Sequence, residues 1–271
     1  DFCIDNLPEM KNLFGEKLQA IILAAGESSR FWPLNKKHKT LVKIIGKPII
    51  QHAIDGLKSA GVGEIIVVQG HDKSIEKNLG EVDGVSYVVQ PEAKGMGNAL
   101  LFAEKFITGP FFVLNAERFD SEQMVKKLLA KARETGAKMI LPVCKTEKPW
   151  LYGIVSTEGD RAAGLIEKPE KGKEPSNLKL IAAYLLPKEF FGYYRRVAEH
   201  MYAYEDALRL FMKENDARLV FFENETPSLK YSWDLFHNKN ALMKNFGRKI
   251  SPTAQIHPSA VIDGDVHIGD G

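Results

Sequence analysis

Short apolar runs alternate with segments of helical period through the first 145 residues, and this alternation is what most constrains the fold. A parallel strand covered by helices on both faces reads as a continuous hydrophobic run. Such strands are expected at 18–23, 64–68, 85–89, 111–115 and 139–142. Between the first two, residues 48–59 place Ile49, Ile50, Ala53, Ile54 and Leu57 on one face of a helix. Pro48 suits its first turn, and Gly61 and Gly63 close it. Helices at about 98–106 and 121–134 complete a strand–helix rhythm. The fold class is therefore α/β: a Rossmann-like three-layer domain with a mixed, mostly parallel sheet.

The rhythm then changes. Residues 152–155, 162–166 and 178–186 are strand-like without helices between them, and the Gly-, Pro- and Lys-rich stretch 168–176 reads as a loop, which predicts a smaller, partly antiparallel lobe. Helices return at 188–195 and 205–213, a strand at 218–223 and a last helix near 234–245. In the tail, Ile250, Ile256, Ile262 and Ile268 fall six residues apart. A strict hexad is the signature of a parallel β-helix, in which about three hexads make one coil. One coil cannot bury both its ends, so a longer β-helix is expected to continue from it. Three units result: an extension over 1–17, whose Leu7, Met10, Leu13 and Phe14 could line one face of a helix; a main domain over 18–246; and a first β-helix coil over 247–271.

Composition excludes several partners. A length of 271 residues with 44% hydrophobic and 27% charged side chains is that of a globular chain, and a net charge of +2 supplies no polycationic surface for nucleic acid. The two cysteines, Cys3 and Cys144, match no metal or redox spacing. The seven histidines show no metal spacing either and are expected to be structural or solvated. No apolar run approaches the ~20 residues of a membrane span. No basic stretch precedes an apolar one at the start, so a cytoplasmic protein without a secretion signal is expected.

The chemistry concentrates in Leu23-Ala24-Ala25-Gly26-Glu27-Ser28-Ser29-Arg30, a strand running into a turn of small residues and then a cation. Such a turn leaves backbone N–H groups pointing outward as a cradle for phosphate oxygens. Arg30 adds a bidentate charge. There is no GxxxxGK phosphate loop, no GxGxxG dinucleotide turn and no GxSxG elbow.

This stretch, continued by Pro33-Leu34 and by His38-Lys39-Thr40-Leu41-Val42-Lys43-Ile44-Ile45-Gly46-Lys47-Pro48, resembles the opening of the sugar-1-phosphate nucleotidylyltransferases of the thymidylyl- and uridylyltransferase type. The likeness continues through Gln90, Gly95-Met96-Gly97-Asn98, Tyr152-Gly153, Glu167-Lys168-Pro169 and Trp233-Asp234-Leu235, and the hexad tail matches the β-helix many members carry. It implies attack of a sugar 1-phosphate oxygen on the α-phosphorus of an NTP, UTP or dTTP first, with pyrophosphate leaving. Leu23, Ala24, Ala25, Gly26, Glu27, Ser28 and Ser29 would then hold the nucleotide, with Arg30 on its outer phosphates and Lys39 beside the α-phosphate. Gln90 would read the base, Gly95 and Gly97 would let the backbone approach it, and Met96 would lie against the nucleotide. Gly153, Glu167 and Lys168 would receive the sugar phosphate, and Glu117 and Asp234 would hold Mg2+. A complete β-helix implies a homo-oligomer, whereas one coil implies no acyltransferase site.

Four positions depart from the family pattern. Glu117 stands where Asp is usual and reaches ~1.5 Å further, which suits the strict geometry of Mg2+ poorly. Ser28 replaces a glycine, a mild change if its φ is negative. Met96 replaces Thr or Ser, and Leu180 replaces a sugar-contacting Asn. Two alternatives follow: a catalytically weakened nucleotide-sugar-binding regulator, or a cytidylyltransferase for a phosphorylated alcohol such as phosphocholine.

Overall fold

The computed structural model describes residues 17–34, 36–223, 228–264 and 266–270. Residues 1–16, which include Cys3 and nearly all of the expected extension, lie outside them. The first half alternates as expected: β1 (Gln19–Ala24), α1 (Ile49–Ser59), β2 (Glu64–Gln69), α2 (Ser74–Leu79), β3 (Val85–Val89), α3 (Met96–Ala103), β4 (Phe111–Asn115), α4 (Ser121–Thr135) and β5 (Met139–Lys145). The six-residue helix α2 was not expected; it is too short for its single buried Ile75 to make a periodic signal.

The second half is partly antiparallel, as expected, but does not build a sheet of its own. Strands β6 (Gly153–Glu158), β7 (Arg161–Glu167), β8 (Leu178–Leu180), β9 (Ala183–Leu186) and β10 (Ala217–Phe222), interleaved with α5 (Phe190–Tyr194) and α6 (Ala203–Glu214), all join one ten-stranded sheet in the order β8-β6-β7-β10-β5-β9-β4-β1-β2-β3. The stretch 178–186 is two strands, because it changes neighbours: Leu180 pairs with Val143 of β5, while Ala183 pairs with Leu114 of β4. Strand β9 thereby wedges, antiparallel, between the parallel strands β4 and β5. A final helix, α7, spans Asp234–Phe246.

Successive residues of a strand face opposite sides of the sheet, and the cores divide accordingly. Ile22 and Phe112 join α1 and α4 on one side, and Ile21 and Phe111 join α3, α5 and α6 on the other. Each fully buried Ile or Phe contributes roughly 1.5–3 kcal/mol. A smaller third cluster unites Phe31, Ile44, Ile49, Leu229 and Leu242. In the tail, Ile250 and Ile268, the first and last of the hexad isoleucines, face each other in a short parallel pair, whereas Ile256 is 39% exposed.

The chain order reverses at β1, where β2 and β3 add on one side and β4 on the other. Loops leaving the carboxyl ends of β1 and β4 therefore diverge and open a crevice, the place where open α/β sheets bind ligands.

Candidate active site

The turn after β1 runs from Ala25 to Ser28 into a single 3-10 turn, Ser29–Phe31, anchored by the buried Phe31. Leu23 and Ala24 belong to the strand itself, and Gly26, Glu27 and Ser29 are exposed around the turn, with Ala25 and Ser28 half-buried. The condition under which Ser28 would be a mild change is not met: its φ is 55°, in the left-handed region. Its hydroxyl oxygen accepts the backbone N–H of Lys39 at 3.0 Å. The turn is thus tied directly to the second motif, and this bond holds a non-glycine residue in a conformation that otherwise costs about 1–2 kcal/mol. His38 N-caps the turn carrying Lys39, its Nδ1 accepting from the Thr40 N–H. Burial, reinforced by the Lys39 charge, lowers its pKa to about 4, so the ring is neutral at pH 7 and its role is structural.

The Lys39 ammonium donates to Glu117 Oε1 at 3.2 Å and to the Leu229 carbonyl at 2.7 Å. Glu117 follows β4 and is half-buried. Asp234, at the start of α7, accepts the backbone N–H groups of Lys230 and Tyr231 on Oδ2, each at 2.8 Å. The carbonyl of Leu229 and the N–H of Lys230 belong to one peptide unit. That single amide therefore bridges the lysine paired with Glu117 on one side and Asp234 on the other. Nearby, the Arg30 guanidinium lies 5.9 Å from the centroid of the Tyr231 ring, which stacks on Trp233. Asp120, which the sequence placed close to Glu117, instead pairs with Arg118.

Glu117 and Asp234 suit a hard divalent cation by donor type, and Glu117 already holds a positive charge in the Lys39 ammonium. Among the described residues no group of three or more Asp, Glu, His or Cys side chains gathers for a metal. An ion here would take two carboxylates from the chain and its remaining oxygens from phosphates and water, the mode Mg2+ prefers.

Gln90 follows β3 and is buried rather than facing water, 4% exposed. Its amide nitrogen donates to Asn98 Oδ1 at 2.8 Å and to the Gly95 carbonyl at 3.4 Å. Gly95, with φ +88°, N-caps α3, and Met96 begins that helix half-buried. Gly97 does not open space for a ligand: a Cβ there would stand 2.0 Å from the Tyr194 ring, so its role is packing.

On the far side of the crevice, Gly153 opens β6. A Cβ there would meet Glu167 Oε2 at 2.7 Å, so the glycine makes room for that carboxylate. Leu180 borders the same spot, its Cβ 3.9 Å from the one Gly153 lacks. Burial raises the pKa of Glu167, against the lowering fields of Lys168 and Lys230. Lys168 donates its N–H to the Tyr152 carbonyl, while its ammonium lies 5.2 Å from the Tyr202 ring centroid and 3.7 Å from Glu167. Glu205 on α6 is an addition to the expected set: burial, and next its neighbours Glu167 and Asp206, raise its pKa to about 7. Sequence reasoning also missed Leu229, Lys230 and Tyr231, although they precede Asp234 by only three to five residues.

A model of the family described as Nucleotidyl transferase matches residues 19–234, and the chain belongs to that family. It is 32% identical over 214 residues to the UTP–glucose-1-phosphate uridylyltransferase of Staphylococcus epidermidis, covering 65% of this chain and 73% of that protein. It is 27% identical over 264 residues to the bifunctional protein GlmU of Methanococcus maripaludis, covering 94% of this chain and 61% of that protein. Among solved structures, UDP-glucose pyrophosphorylase complexed with UDP-glucose superposes with a TM-score of 0.73 at 24% identity, over 85% of this chain and all of that one. This likeness shows the shared fold.

Proposed function

We propose that this nucleotidyl transferase joins a nucleoside triphosphate, UTP or dTTP, to a sugar 1-phosphate and releases pyrophosphate. The observation that carries this reading is the arrangement around the Leu229–Lys230 peptide. Cations suited to a triphosphate gather there, Lys39 on the Leu229 carbonyl and Arg30 beside the Tyr231 ring, while the Lys230 ammonium meets Tyr152, the neighbour of Gly153. The uridylyltransferase names of relatives support the same substrates.

In the reaction an oxygen of the sugar phosphate bonds to the α-phosphorus, and the bond from that phosphorus to the bridging oxygen breaks, its electron pair leaving with pyrophosphate. Such transfer depends on positioning and charge neutralisation rather than covalent help. The turn after β1 presents N–H groups to the triphosphate, and Arg30 neutralises its outer charges. Lys39, aimed by its backbone bond to Ser28 and held by Glu117 and Leu229, serves the α-phosphate and the attacking oxygen. Gln90, its amide nitrogen spent on Asn98, offers its carbonyl to the N3–H that uracil and thymine both carry. Glu167 accepts from sugar hydroxyls. Mg2+, held by Glu117 and Asp234 when bound, supplies charge neutralisation between phosphates. We further read the parallel pairing of Ile250 with Ile268 as the closure of a first hexad coil, the start of a left-handed β-helix.

Pyrophosphate release, measured with Mg2+ across four NTPs and a panel of sugar 1-phosphates plus phosphocholine, tests this reading beside a Glu117→Asp variant. Turnover with UTP or dTTP and a sugar phosphate is expected. Preference for CTP with phosphocholine would overturn the substrate assignment. A second reading, a regulator that binds nucleotide sugar without turnover, is favoured by two observations: Glu117 is engaged by Lys39, and Leu180 brings no hydroxyl partner beside Gly153. Silence in wild type with activity in the aspartate variant would mean a lapsed catalyst, and nucleotide-sugar binding by that silent wild type would then support the regulator.

A further inference from the structure

Beside the crevice runs the strap Leu229-Lys230-Tyr231, whose backbone is held by four hydrogen bonds. The Leu229 side chain is fully buried beside Phe31, Ile44 and Leu242. Its carbonyl holds Lys39, and the next two N–H groups hold Asp234. A main chain pinned this closely sets the direction in which the Lys230 side chain leaves it. That direction is across the crevice, where the ammonium stands 5.0 Å from the centroid of the Tyr152 ring. Tyr152 is the neighbour of Gly153, and its carbonyl holds the backbone of Lys168. The field of Lys230 also reaches the Glu167 carboxylate. From β8, Lys179 brings a second ammonium to the same ring, 4.5 Å from its centroid.

From this placement we infer that Lys230 is a further substrate-binding residue, one that takes the phosphate of the acceptor beside the α-phosphate of the nucleotide. The inference rests on the nucleotidyl-transfer reading above and adds to it. The attacking phosphate oxygen and the α-phosphorus must come to about 3–3.5 Å. Arg30 and a metal at Glu117 and Asp234 would serve the nucleotide and Lys39 is shared between the two, so the acceptor phosphate gains from a cation of its own. Lys39 enters from the nucleotide side. The obvious second cation, Lys168, is turned towards Tyr202 and Glu167. Lys230 alone of these is carried on the same peptide that contacts both Lys39 and Asp234, yet its ammonium lies against the acceptor wall. An ammonium resting on a ring face is partly desolvated, which strengthens its attraction for a phosphate oxygen.

The test uses Lys230→Gln and Lys230→Arg in the full chain. Both replacements keep the backbone N–H that Asp234 requires, so a loss of affinity reports the side chain. Calorimetry is run with UTP and with whichever of glucose, galactose and N-acetylglucosamine 1-phosphate wild type binds most tightly. In Lys230→Gln the dissociation constant of the sugar phosphate is expected to rise at least tenfold while that of UTP stays within twofold, and Lys230→Arg is expected to recover most of the loss. In turnover the same change raises KM for the sugar phosphate and leaves KM for UTP in place. Unchanged sugar-phosphate binding in Lys230→Gln, or equal weakening of both ligands, would overturn the inference alone. A wild-type chain that binds none of the three sugar phosphates would overturn the functional reading and the inference together. Should Lys230→Gln fail to fold, Lys230→Met takes its place: at least tenfold weaker sugar-phosphate binding with UTP within twofold upholds the inference, and unchanged sugar-phosphate affinity overturns it.

Discussion

The ammonium of Lys39 and the carboxylate of Glu117 form an ion pair at 3.2 Å with only 21% and 15% of the two side chains exposed. The residue proposed for the α-phosphate and the residue proposed for the metal therefore occupy each other until ligands arrive. Replacing Lys39 with Met removes the cation that competes for Glu117. Mn2+ titrated into the nucleotide-free variant and followed by electron paramagnetic resonance is expected to bind a few-fold more tightly than in wild type. Turnover is expected to fall about 10²–10³-fold, the scale of losing one preorganised charge. Weaker Mn2+ binding in the variant would show that Glu117 is not part of a cation site.

Ser28 combines an unfavourable φ with a favourable hydrogen bond, and two substitutions separate them. Ser28→Gly relaxes the backbone and loses the bond, so its stability should stay within about 1 kcal/mol of wild type. Ser28→Ala keeps the strained φ and loses the bond, and should be about 1 kcal/mol less stable than the glycine variant. Both free the backbone of Lys39, so both should lower kcat more than they raise KM for the triphosphate. Equal unfolding midpoints for the two variants in urea would contradict the assignment of strain.

Gly97 offers a test of packing against propensity. Inside a helix, Ala is favoured over Gly by about 0.5–1 kcal/mol. The added Cβ would nevertheless meet the Tyr194 ring at 2.0 Å, and overpacking of that kind typically costs about 1–3 kcal/mol. Gly97→Ala is therefore expected to lower the thermal midpoint, and Gly97→Ala with Tyr194→Leu to recover most of it.

Glu205 makes stability depend on pH. Its folded-state pKa, about 7, is raised above the ordinary carboxylate value of 4.5. The neutral form is therefore favoured in the native state, so the contribution is complete below pH 4.5 and lost as pH rises towards 7. Glu205→Gln holds the neutral form throughout. It should match wild type near pH 4.5 and exceed its melting temperature at pH 8. Because the group is still partly open to water, the discounted difference is ~1 kcal/mol, or ~2–4 °C in a domain of this size. Identical midpoints at pH 8 would remove Glu205 from the buried carboxylates.

Much of this was legible in the sequence for a physical reason. Strands β1, β2 and β4 are buried almost throughout and so read as near-continuous apolar runs, whereas β3, at the sheet edge, is only half-buried. Arg30, Lys39, Gly153 and Glu167 sit in motifs that resemble those of the sugar-1-phosphate nucleotidylyltransferases, and it is that resemblance, not local geometry, that groups them as candidates. The second half was harder, because whether β6 to β10 form their own sheet or join the first depends on pairings across long stretches of chain. Strand β9 illustrates this: nothing local tells Ala183 to leave β5 for Leu114 of β4. The strap at 229–231 was illegible for a different reason. It acts through a carbonyl and two N–H groups that every residue possesses, and no side-chain pattern announces them.

The amide between Leu229 and Lys230 is planar, and its carbonyl and N–H cannot be re-aimed independently. Lys39 and Asp234 therefore share one rotational degree of freedom: a rocking of that plane which shortens one contact also swings the other. The position of the Lys39 ammonium and the start of α7 are joined by a rigid amide plane. In a double-mutant cycle that joins a change at Lys39 to one at Asp234, the two losses should not simply add, although the side chains need never touch.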